Sequence, residues 1–293
     1  MQLELSFQGL RAIADSHGGE LVSFRDKQGV EYIWGGDPAY WSGRNPLLFP
    51  IVGSLKNGTV RFDGQEYKMS RHGFARDYEF EVVEQTADRI VFELREDLST
   101  LERYPYPFKL QVRHQLDEDG FSTSFCVENT GSAPMPFCIG AHTAFCCPLQ
   151  EGERFEDYDI VFEQSEEIAM RLLTNEGLLS SSLCEPFVSG QDRFALSYEL
   201  FARVDTVILE NLKSKSICLA HRENGHGVRM DFKGFPLLAF WTKGAEKAPF
   251  ICLEPWHGCA AVEDEPGEFI DKPHCIILQP GEEKTLQYKV SGL

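Results

Sequence analysis

Short runs in which polar and apolar positions alternate recur along the chain, and turn residues separate them. Residues 109–116 alternate with period two, Asp119-Gly120 follows as a turn, and residues 121–127 alternate again. Period two is the repeat of a strand with one buried face. Residues 60–69 contain two similar runs around Asp63-Gly64, a dipeptide typical of tight hairpins. The pattern predicts antiparallel strands that are joined by short turns.

Further strands are predicted at residues 89–94 and near the end of the chain at 285–290. Helical pattern is scarce, and the candidates are short segments at 38–41 and 98–102. Antiparallel strands at this spacing favour a sandwich over a doubly wound sheet. No linker, repeat or change of composition marks a domain boundary. We therefore predict an all-β fold, a large antiparallel β-sandwich with few short helices, as a single domain over residues 1–293.

Composition narrows the classes of partner. The formal net charge of −18 over 293 residues argues against broad binding to nucleic acid or to an anionic membrane. No run approaches the roughly 18 apolar residues that a membrane-spanning helix needs. The start of the chain lacks the basic and apolar regions of a signal peptide. Several of the nine cysteines lie inside apolar, strand-like runs. We expect a reduced, soluble, cytoplasmic protein.

Several cofactor and catalytic motifs are absent from the sequence. It has no GxGxxG after a strand, no phosphate-binding GxxxxGK[ST], no HExxH and no GxSxG. There is no CxxC pair, and the adjacent Cys146-Cys147 does not match zinc-ligand spacing. The sequence therefore predicts no metal and no cofactor.

One carboxylate stands at the end of an apolar run. Glu254 follows the strand-like residues 250–253 and precedes Pro255 and Trp256. Because proline has no N–H, strand pairing is expected to end at Pro255. A buried carboxylate is costly unless it is paired or opens into a polar pocket. Glu254 is therefore a candidate general base, and a structural salt bridge or turn residue is the alternative.

Two histidines have a comparable context. His72 lies between Arg71 and Arg76 and is followed by a glycine, and His142 follows the apolar residues 137–139. Most single histidines are structural, and that reading stays open for each. Histidine also titrates near neutral pH, so both are candidates for acid–base chemistry.

Six short segments, in this order and at this spacing, resemble the aldose 1-epimerase (galactose mutarotase-like) family and more closely its LacX-like branch. The resemblance runs through most of the chain. It implies the large antiparallel β-sandwich of that family and the interconversion of α and β anomers of an aldose without a cofactor. The segments are Asn-Pro-Leu-Leu-Phe-Pro at 45–50, Arg-His-Gly-Phe at 71–74, Gly-Ala-His-Thr-Ala-Phe at 140–145, Gly-Phe-Pro at 234–236, Phe-Trp-Thr at 240–242 and Cys-Leu-Glu-Pro-Trp at 252–256.

The resemblance also implies roles for individual residues. Glu254 would be the general base that takes the proton of the anomeric hydroxyl. His142 would be the general acid that protonates the ring oxygen, so that the C1–O5 bond opens. His72 would hydrogen-bond the sugar, while Trp241, Trp256 and Phe74 would stack on its apolar faces. Core packing is the alternative for each of these three aromatic residues.

The chain departs from the better-known galactose mutarotases at two places. Those enzymes carry an arginine after a glycine upstream of the first histidine, where this chain has Gly53-Ser54. Arg44, Lys56 or Arg76 would replace that arginine. Asp205 is the best match for the family's aspartate that binds sugar hydroxyls. These departures leave the identity of the sugar open.

Three hypotheses follow for the function. The first is an aldose 1-epimerase acting on a free hexose. The second is an epimerase for a hexose 6-phosphate, because Arg44, Lys56, Arg71 and Arg76 are cationic in an acidic chain, although they could instead pair with surface carboxylates. The third is a sugar-binding or sensing protein without catalysis. In each case the expected partner is a small sugar or sugar phosphate, and the oligomeric state stays open.

Overall fold

The computed structural model describes residues 1–265 and 267–293, and most of its regular structure is β-strand. The helices are short: α1 (Leu98–Leu101), α2 (Tyr198–Val204) and four single turns of 3₁₀-helix. The strands are β1 (Gln2–Phe7), β2 (Leu10–Asp15), β3 (Glu20–Arg25), β4 (Leu47–Leu48), β5 (Thr59–Phe62), β6 (Gln65–Lys68), β7 (Glu81–Gln85), β8 (Arg89–Arg95), β9 (Phe108–Leu116), β10 (Gly120–Asn129), β11 (Met135–Phe137), β12 (Ile139–Ala141), β13 (Thr143–Cys146), β14 (Tyr158–Leu173), β15 (Leu179–Ala195), β16 (Thr206–Glu210), β17 (Ser216–His221), β18 (Gly227–Asp231), β19 (Leu237–Trp241), β20 (Phe250–His257), β21 (Ile276–Leu278) and β22 (Glu283–Gly292).

The strands form one very large sheet and three small ones. The large sheet has 15 strands, in the order β4-β12-β20-β19-β16-β14-β17-β18-β22-β10-β9-β8-β7, with β13 also paired to β20 and β15 to β14. The small sheets are β1-β2-β3, β11-β21 and β5-β6. The ladders that join these strands are antiparallel, as in the pairing of β9 with β10 and of β19 with β20. The predicted all-β antiparallel fold is confirmed.

The predicted hairpins form where the turn residues allow them. Asp63 and Gly64 have φ of 51° and 78°, and Phe62 pairs with Gln65 across the turn. Positive φ at both central residues gives a turn whose twist matches that of the flanking strands. The strands predicted at 89–94, 109–116, 121–127 and 285–290 are also present.

The helix predictions were only partly right. Residues 98–101 are helical, because Asp97 caps the turn by accepting the backbone N–H of Thr100. The candidate at 38–41 was wrong, because this segment is a turn in which the N–H groups of Tyr40 and Trp41 both donate to the carbonyl of Asp37. Neither α-helix in the described part of the chain is long and apolar enough to cross a membrane.

A continuous apolar core connects the sheets. Phe49 lies at one of its centres, with ring centroids 5.2 to 6.2 Å from those of Phe74, Tyr104, Phe108 and Phe137. Such packing fixes the segment around Phe49. A smaller apolar cluster lies apart from this core and is formed by Trp34, Ala144, Ala248, Phe250 and Cys252.

Candidate active site

A cavity of about 170 Å³ opens above the central strands of the large sheet. Eight of the nine residues predicted for the site line it, although they come from distant parts of the sequence. The structure adds Trp41, Ser54 and Gly177 to the lining. The eight residues are Arg71, His72, Arg76, His142, Asp205, Trp241, Glu254 and Trp256.

Arg44 is the predicted residue that lies elsewhere. Its Nε donates to the carbonyl of Gly35 at 3.0 Å, and it is not part of the cavity lining. Lys56 also points away, because its Nζ donates to the carbonyl of Glu263 at 2.8 Å. The structure therefore does not place either of them where the family arginine was expected.

Strand β20 carries Glu254 across the middle of the large sheet. On one side its pairing with β19 is continuous through Ala239↔Glu254 and Leu238↔Pro255. On the other side the ladder with β12 and β13 is interrupted at His142, between the pairs Gly140↔Trp256 and Thr143↔Leu253. The prediction that the strand ends at Pro255 was wrong. The interruption on one side brings His142 opposite Glu254.

Glu254 is a buried carboxyl group without hydrogen-bond partners. Its relative exposure is 1 %, and neither Oε1 nor Oε2 has a partner among the described residues. Burial raises the pKa of Glu254 well above its usual value. The nearby Trp256 indole lowers this pKa only in part, because its N–H does not reach regular hydrogen-bond geometry. In the ligand-free site the carboxyl group therefore keeps its proton well above pH 4.5.

His142 faces this carboxyl group. Its Nε2 lies 3.3 Å from Oε2 of Glu254, and its Nδ1 has no partner among the described residues. Burial lowers the pKa of His142 to about 3, so its ring is neutral near pH 7. The pair then shares one proton, and each member can donate or accept it.

His72 approaches the cavity from a strained backbone. Its φ is 68°, its own N–H donates to the carbonyl of Gly53, and the Gly53 N–H donates to Nδ1 at 3.1 Å. Burial lowers the pKa of His72 well below its usual value. Because Nδ1 accepts a hydrogen bond, the neutral ring must carry its proton on Nε2. His72 therefore lines the cavity as a hydrogen-bond donor.

Gly73 makes this conformation possible. Its φ is 76°, and a Cβ built there would lie 2.1 Å from the carbonyl oxygen of Phe49. A residue with a side chain would push the loop away from Phe49. The glycine beside His72 thus has a steric explanation.

Two tryptophans form an aromatic wall over His142. The ring centroid of Trp41 lies 5.0 Å from that of His142 and 5.2 Å from that of Trp241. Trp41 was missed as a site residue, since its segment was interpreted as a helix. The flanking Gly43 was an available signal, because a Cβ there would lie 2.4 Å from the Trp41 ring.

Asp205 adds a hydrogen-bond acceptor beside Trp241. It ends α2 with φ 61° and ψ −66°, a sparsely populated conformation for a residue with a side chain. Its carboxylate accepts the indole N–H of Trp241 at 3.4 Å and the hydroxyl of Thr206 at 2.9 Å. These contacts orient the carboxylate and leave capacity for a ligand hydroxyl.

Two arginines lie at the cavity without a carboxylate partner. Nε of Arg71 donates to Oγ of Ser54 at 2.8 Å, and Nη2 of Arg76 donates to the carbonyl of Arg71 at 2.9 Å. Within the described residues, no Asp or Glu oxygen lies within 4.0 Å of either guanidinium. Gly177 leaves room for Arg71, because a Cβ there would lie 2.5 Å from Nη2. Arg71 thus places a guanidinium beside Gly53-Ser54.

Comparisons with known proteins identify the family of the chain. The family model described as aldose 1-epimerase matches residues 1–291. The chain is 37% identical over 300 residues to the plasmid-encoded protein LacX of Lactococcus lactis subsp. lactis, and the match covers 100% of both chains.

Two solved structures have the same fold. A galactose mutarotase related enzyme from Lactobacillus acidophilus superposes with a TM-score of 0.94 at 28% identity, covering 100% of this chain and 97% of that one. A galactose mutarotase-like protein from Lactobacillus casei gives a TM-score of 0.90 at 30% identity and covers 100% of both chains. The chain belongs to the aldose 1-epimerase family of isomerases.

Proposed function

We propose that this protein interconverts the α and β anomers of a hexose by acid–base opening of the sugar ring. The observation that carries the proposal is the pairing of Glu254 with His142. A carboxyl group that is 1 % exposed, and whose two oxygens have no hydrogen-bond partner among the described residues, lies 3.3 Å from a neutral imidazole nitrogen at the floor of a cavity. A purely structural carboxylate would be expected to have hydrogen-bond partners inside the protein.

Binding of the sugar would change the protonation of the pair. Sugar hydroxyls that donate to Oε1 and Oε2 of Glu254 stabilise its charged form and so lower its pKa. The proton would then move to Nε2 of His142, which lies 3.3 Å away. In this state Glu254 is a general base and His142 a general acid, as the family resemblance implied.

Glu254 and His142 can then carry out both proton transfers of the reaction. Glu254 takes the proton of the anomeric hydroxyl while His142 gives its proton to the ring oxygen, and the C1–O5 bond breaks to form an open-chain aldehyde. Rotation about C1–C2 presents the other face of the carbonyl group. The two groups exchange roles and the ring closes. Positioned acid–base catalysis of this kind supplies roughly 10²–10⁴ in rate.

Other residues of the cavity would orient the sugar. His72 donates from Nε2 to the ring oxygen or a neighbouring hydroxyl, because its Nδ1 is engaged by Gly53. Asp205 accepts from sugar hydroxyls. The rings of Trp41, Trp241 and Trp256 offer apolar faces for the C–H side of the sugar.

A hexose 6-phosphate is the second candidate substrate, and the support for it is the pair Arg71 and Arg76. Among the described residues, ten of the 16 arginines lie within 4.0 Å of a carboxylate oxygen, yet Arg71 and Arg76 line the cavity without such a partner. Arginine binds phosphate through paired hydrogen bonds. Bound phosphate would replace the missing carboxylate partner.

The proposal is tested by initial rates of mutarotation, followed by polarimetry on freshly dissolved sugars. Glu254→Gln and His142→Ala are expected to lower the catalysed rate by roughly 10²–10⁴ while circular dichroism shows an intact fold. Full activity in both variants would contradict the assignment. Glucose and glucose 6-phosphate are compared in the same assay, and equal rates on the two would count against a phosphate site.

A further inference from the structure

Three possible metal ligands meet at the floor of the cavity. Each residue offers one ligand atom, and these three atoms lie within 4.8 Å of one another. The residues are His142, Cys252 and Glu254. All three residues are buried, and both oxygens of Glu254 lack a partner among the described residues. We propose that His142, Cys252 and Glu254 form a binding site for a zinc-like divalent cation, which occupies the floor of the cavity in competition with a sugar.

The spacing of the ligand atoms fits a small tetrahedral cation. Zinc binds imidazole nitrogen and carboxylate oxygen at roughly 2.0–2.2 Å, so two such ligands on one tetrahedral ion lie about 3.3–3.5 Å apart. Nε2 of His142 and Oε2 of Glu254 are 3.3 Å apart. The Cys252 sulfur lies within 4.8 Å of both atoms, so the three side chains would have to draw together by up to about 1 Å around the ion.

The chemistry of the three groups also fits. Thiolate, imidazole and carboxylate are the ligands that zinc takes in proteins, whereas magnesium and calcium prefer oxygen ligands alone. The ion would displace the thiol proton of Cys252 and the carboxyl proton of Glu254 to the buffer. A dication bound by one thiolate, one carboxylate and one neutral imidazole has no net charge, which reduces the cost of burial.

Access and a fourth coordination position come from the cavity. His142 and Glu254 line it, and Cys252 lies behind them next to the aromatic residues of the smaller apolar cluster. Three protein ligands with one open position describe an accessible zinc site. A water molecule would take that position.

No motif in the sequence indicates this site. Cys252 and Glu254 are separated by one residue on β20, and His142 is more than a hundred residues away. The three come together because β13 pairs with β20 in a register that sets Ala144 opposite Cys252. No local spacing of ligands could show this.

Cobalt(II) titration of the full-length, metal-free protein tests the inference. Cobalt takes tetrahedral sites similar to those of zinc, and a coordinating thiolate gives a near-ultraviolet charge-transfer band. We expect one Co²⁺ per chain, with a thiolate band that added Zn²⁺ abolishes. Cys252→Ser is expected to remove the band, and Glu254→Gln to weaken Co²⁺ binding by about tenfold or more.

Cys184→Ser is the matched control, because Cys184 is an exposed thiol on β15 outside the cavity lining. The band should persist in this variant. A wild-type protein without the band, or a band retained in Cys252→Ser, would overturn the inference. If Cys252→Ser fails to fold, Glu254→Gln decides, since unchanged affinity for Co²⁺ in that variant also overturns it. This test reads metal coordination and is independent of epimerase activity.

Discussion

Replacing Glu254 by glutamine should make the protein more stable near pH 7 while removing its activity. Burial raises the pKa of the folded Glu254 carboxyl above the ordinary 4.5 of the unfolded chain. Between these two values the unfolded state releases the proton more readily than the folded state. The wild-type protein therefore loses stability as pH rises from about 4.5 towards the raised pKa. Glutamine cannot ionise, so the variant does not show this loss.

The pKa of Glu254 in the unfolded chain limits how much stability the wild-type protein can lose at a given pH. Each pH unit between 4.5 and the folded pKa costs the wild-type protein about 1.4 kcal/mol. At pH 7 the loss is therefore at most about 3 kcal/mol relative to pH below 4.5. For a domain of this size, 1 kcal/mol shifts the Tm by roughly 2–4 °C. The Tm of Glu254→Gln should thus exceed that of the wild type by up to about 10 °C at pH 7 and approach it near pH 4.

Thermal and urea denaturation at several pH values measure this difference, with Glu210→Gln as the matched control. Glu210 ends the nearby β16, outside the cavity lining, and its bonds to His274 and Arg171 lower its pKa. A lowered pKa means stability that is present above pH 4.5 and is lost as pH falls. Glu210→Gln should therefore destabilise the protein at pH 7 by up to about 1 kcal/mol. Its activity should stay near that of the wild type.

The two glutamine variants should thus have effects of opposite sign. A Glu254→Gln protein that is less stable than the wild type at pH 7, with a difference that shrinks as pH falls, would refute the reasoning. It would mean that Glu254 is ionised and well paired in the folded protein. Then its role would be structural, which is the alternative that the sequence left open.

Three further outcomes are expected. The pH profile of kcat/KM should be bell-shaped, since the pair must carry one proton. The acidic limb should lie at the His142 pKa of about 3 and the basic limb at the raised pKa of Glu254, so an acidic limb near 6.5 would contradict this. Arg71→Gln or Arg76→Gln should raise KM for a hexose 6-phosphate by about 10- to 150-fold, because a hydrogen bond to a charged group contributes roughly 1.5–3 kcal/mol. An equal increase of KM for the free hexose would count against a phosphate site. Trp41→Ala should raise KM by roughly 2- to 12-fold through lost ring contact, measured by initial rates, and an unchanged KM would exclude sugar stacking there.

The fold could be predicted because local pattern and turn chemistry agree. Period-two alternation and the Asp63-Gly64 turn specify their strands with neighbouring residues alone. The helices were predicted less well than the strands, because their sequence patterns are very short. The segment at 38–41 became a turn capped by Asp37, and α2 was not foreseen.

The site could be predicted only where a family motif carried it. Glu254 and His142 were named from their motifs, and the structure brings them to 3.3 Å. Which cation lies beside Ser54 depends on the path of the loop that follows β6, and that loop delivers Arg71, whereas Arg44 lies elsewhere. Such neighbours follow from strand register and loop path, which local sequence does not encode.

Pro255 illustrates the same limit. Its missing N–H was expected to end the strand, but β20 continues to His257, and its pairing with β19 is unbroken from Cys252 to Trp256. The pairing with β12 and β13 is interrupted there, which allows His142 to turn towards Glu254. Sequence alone identified the disturbance but not the side of the strand on which it acts.

Exchange spectroscopy by NMR on sugars at anomeric equilibrium tests the central claim most directly. Catalytic amounts of the wild-type protein are added to a panel of aldoses and their 6-phosphates, and the α/β exchange rate is compared with the spontaneous rate. The account predicts faster exchange for at least one sugar, with the acceleration lost in Glu254→Gln. Calorimetric binding of a sugar without acceleration for any member of the panel would contradict it and favour a sugar-binding protein without catalysis.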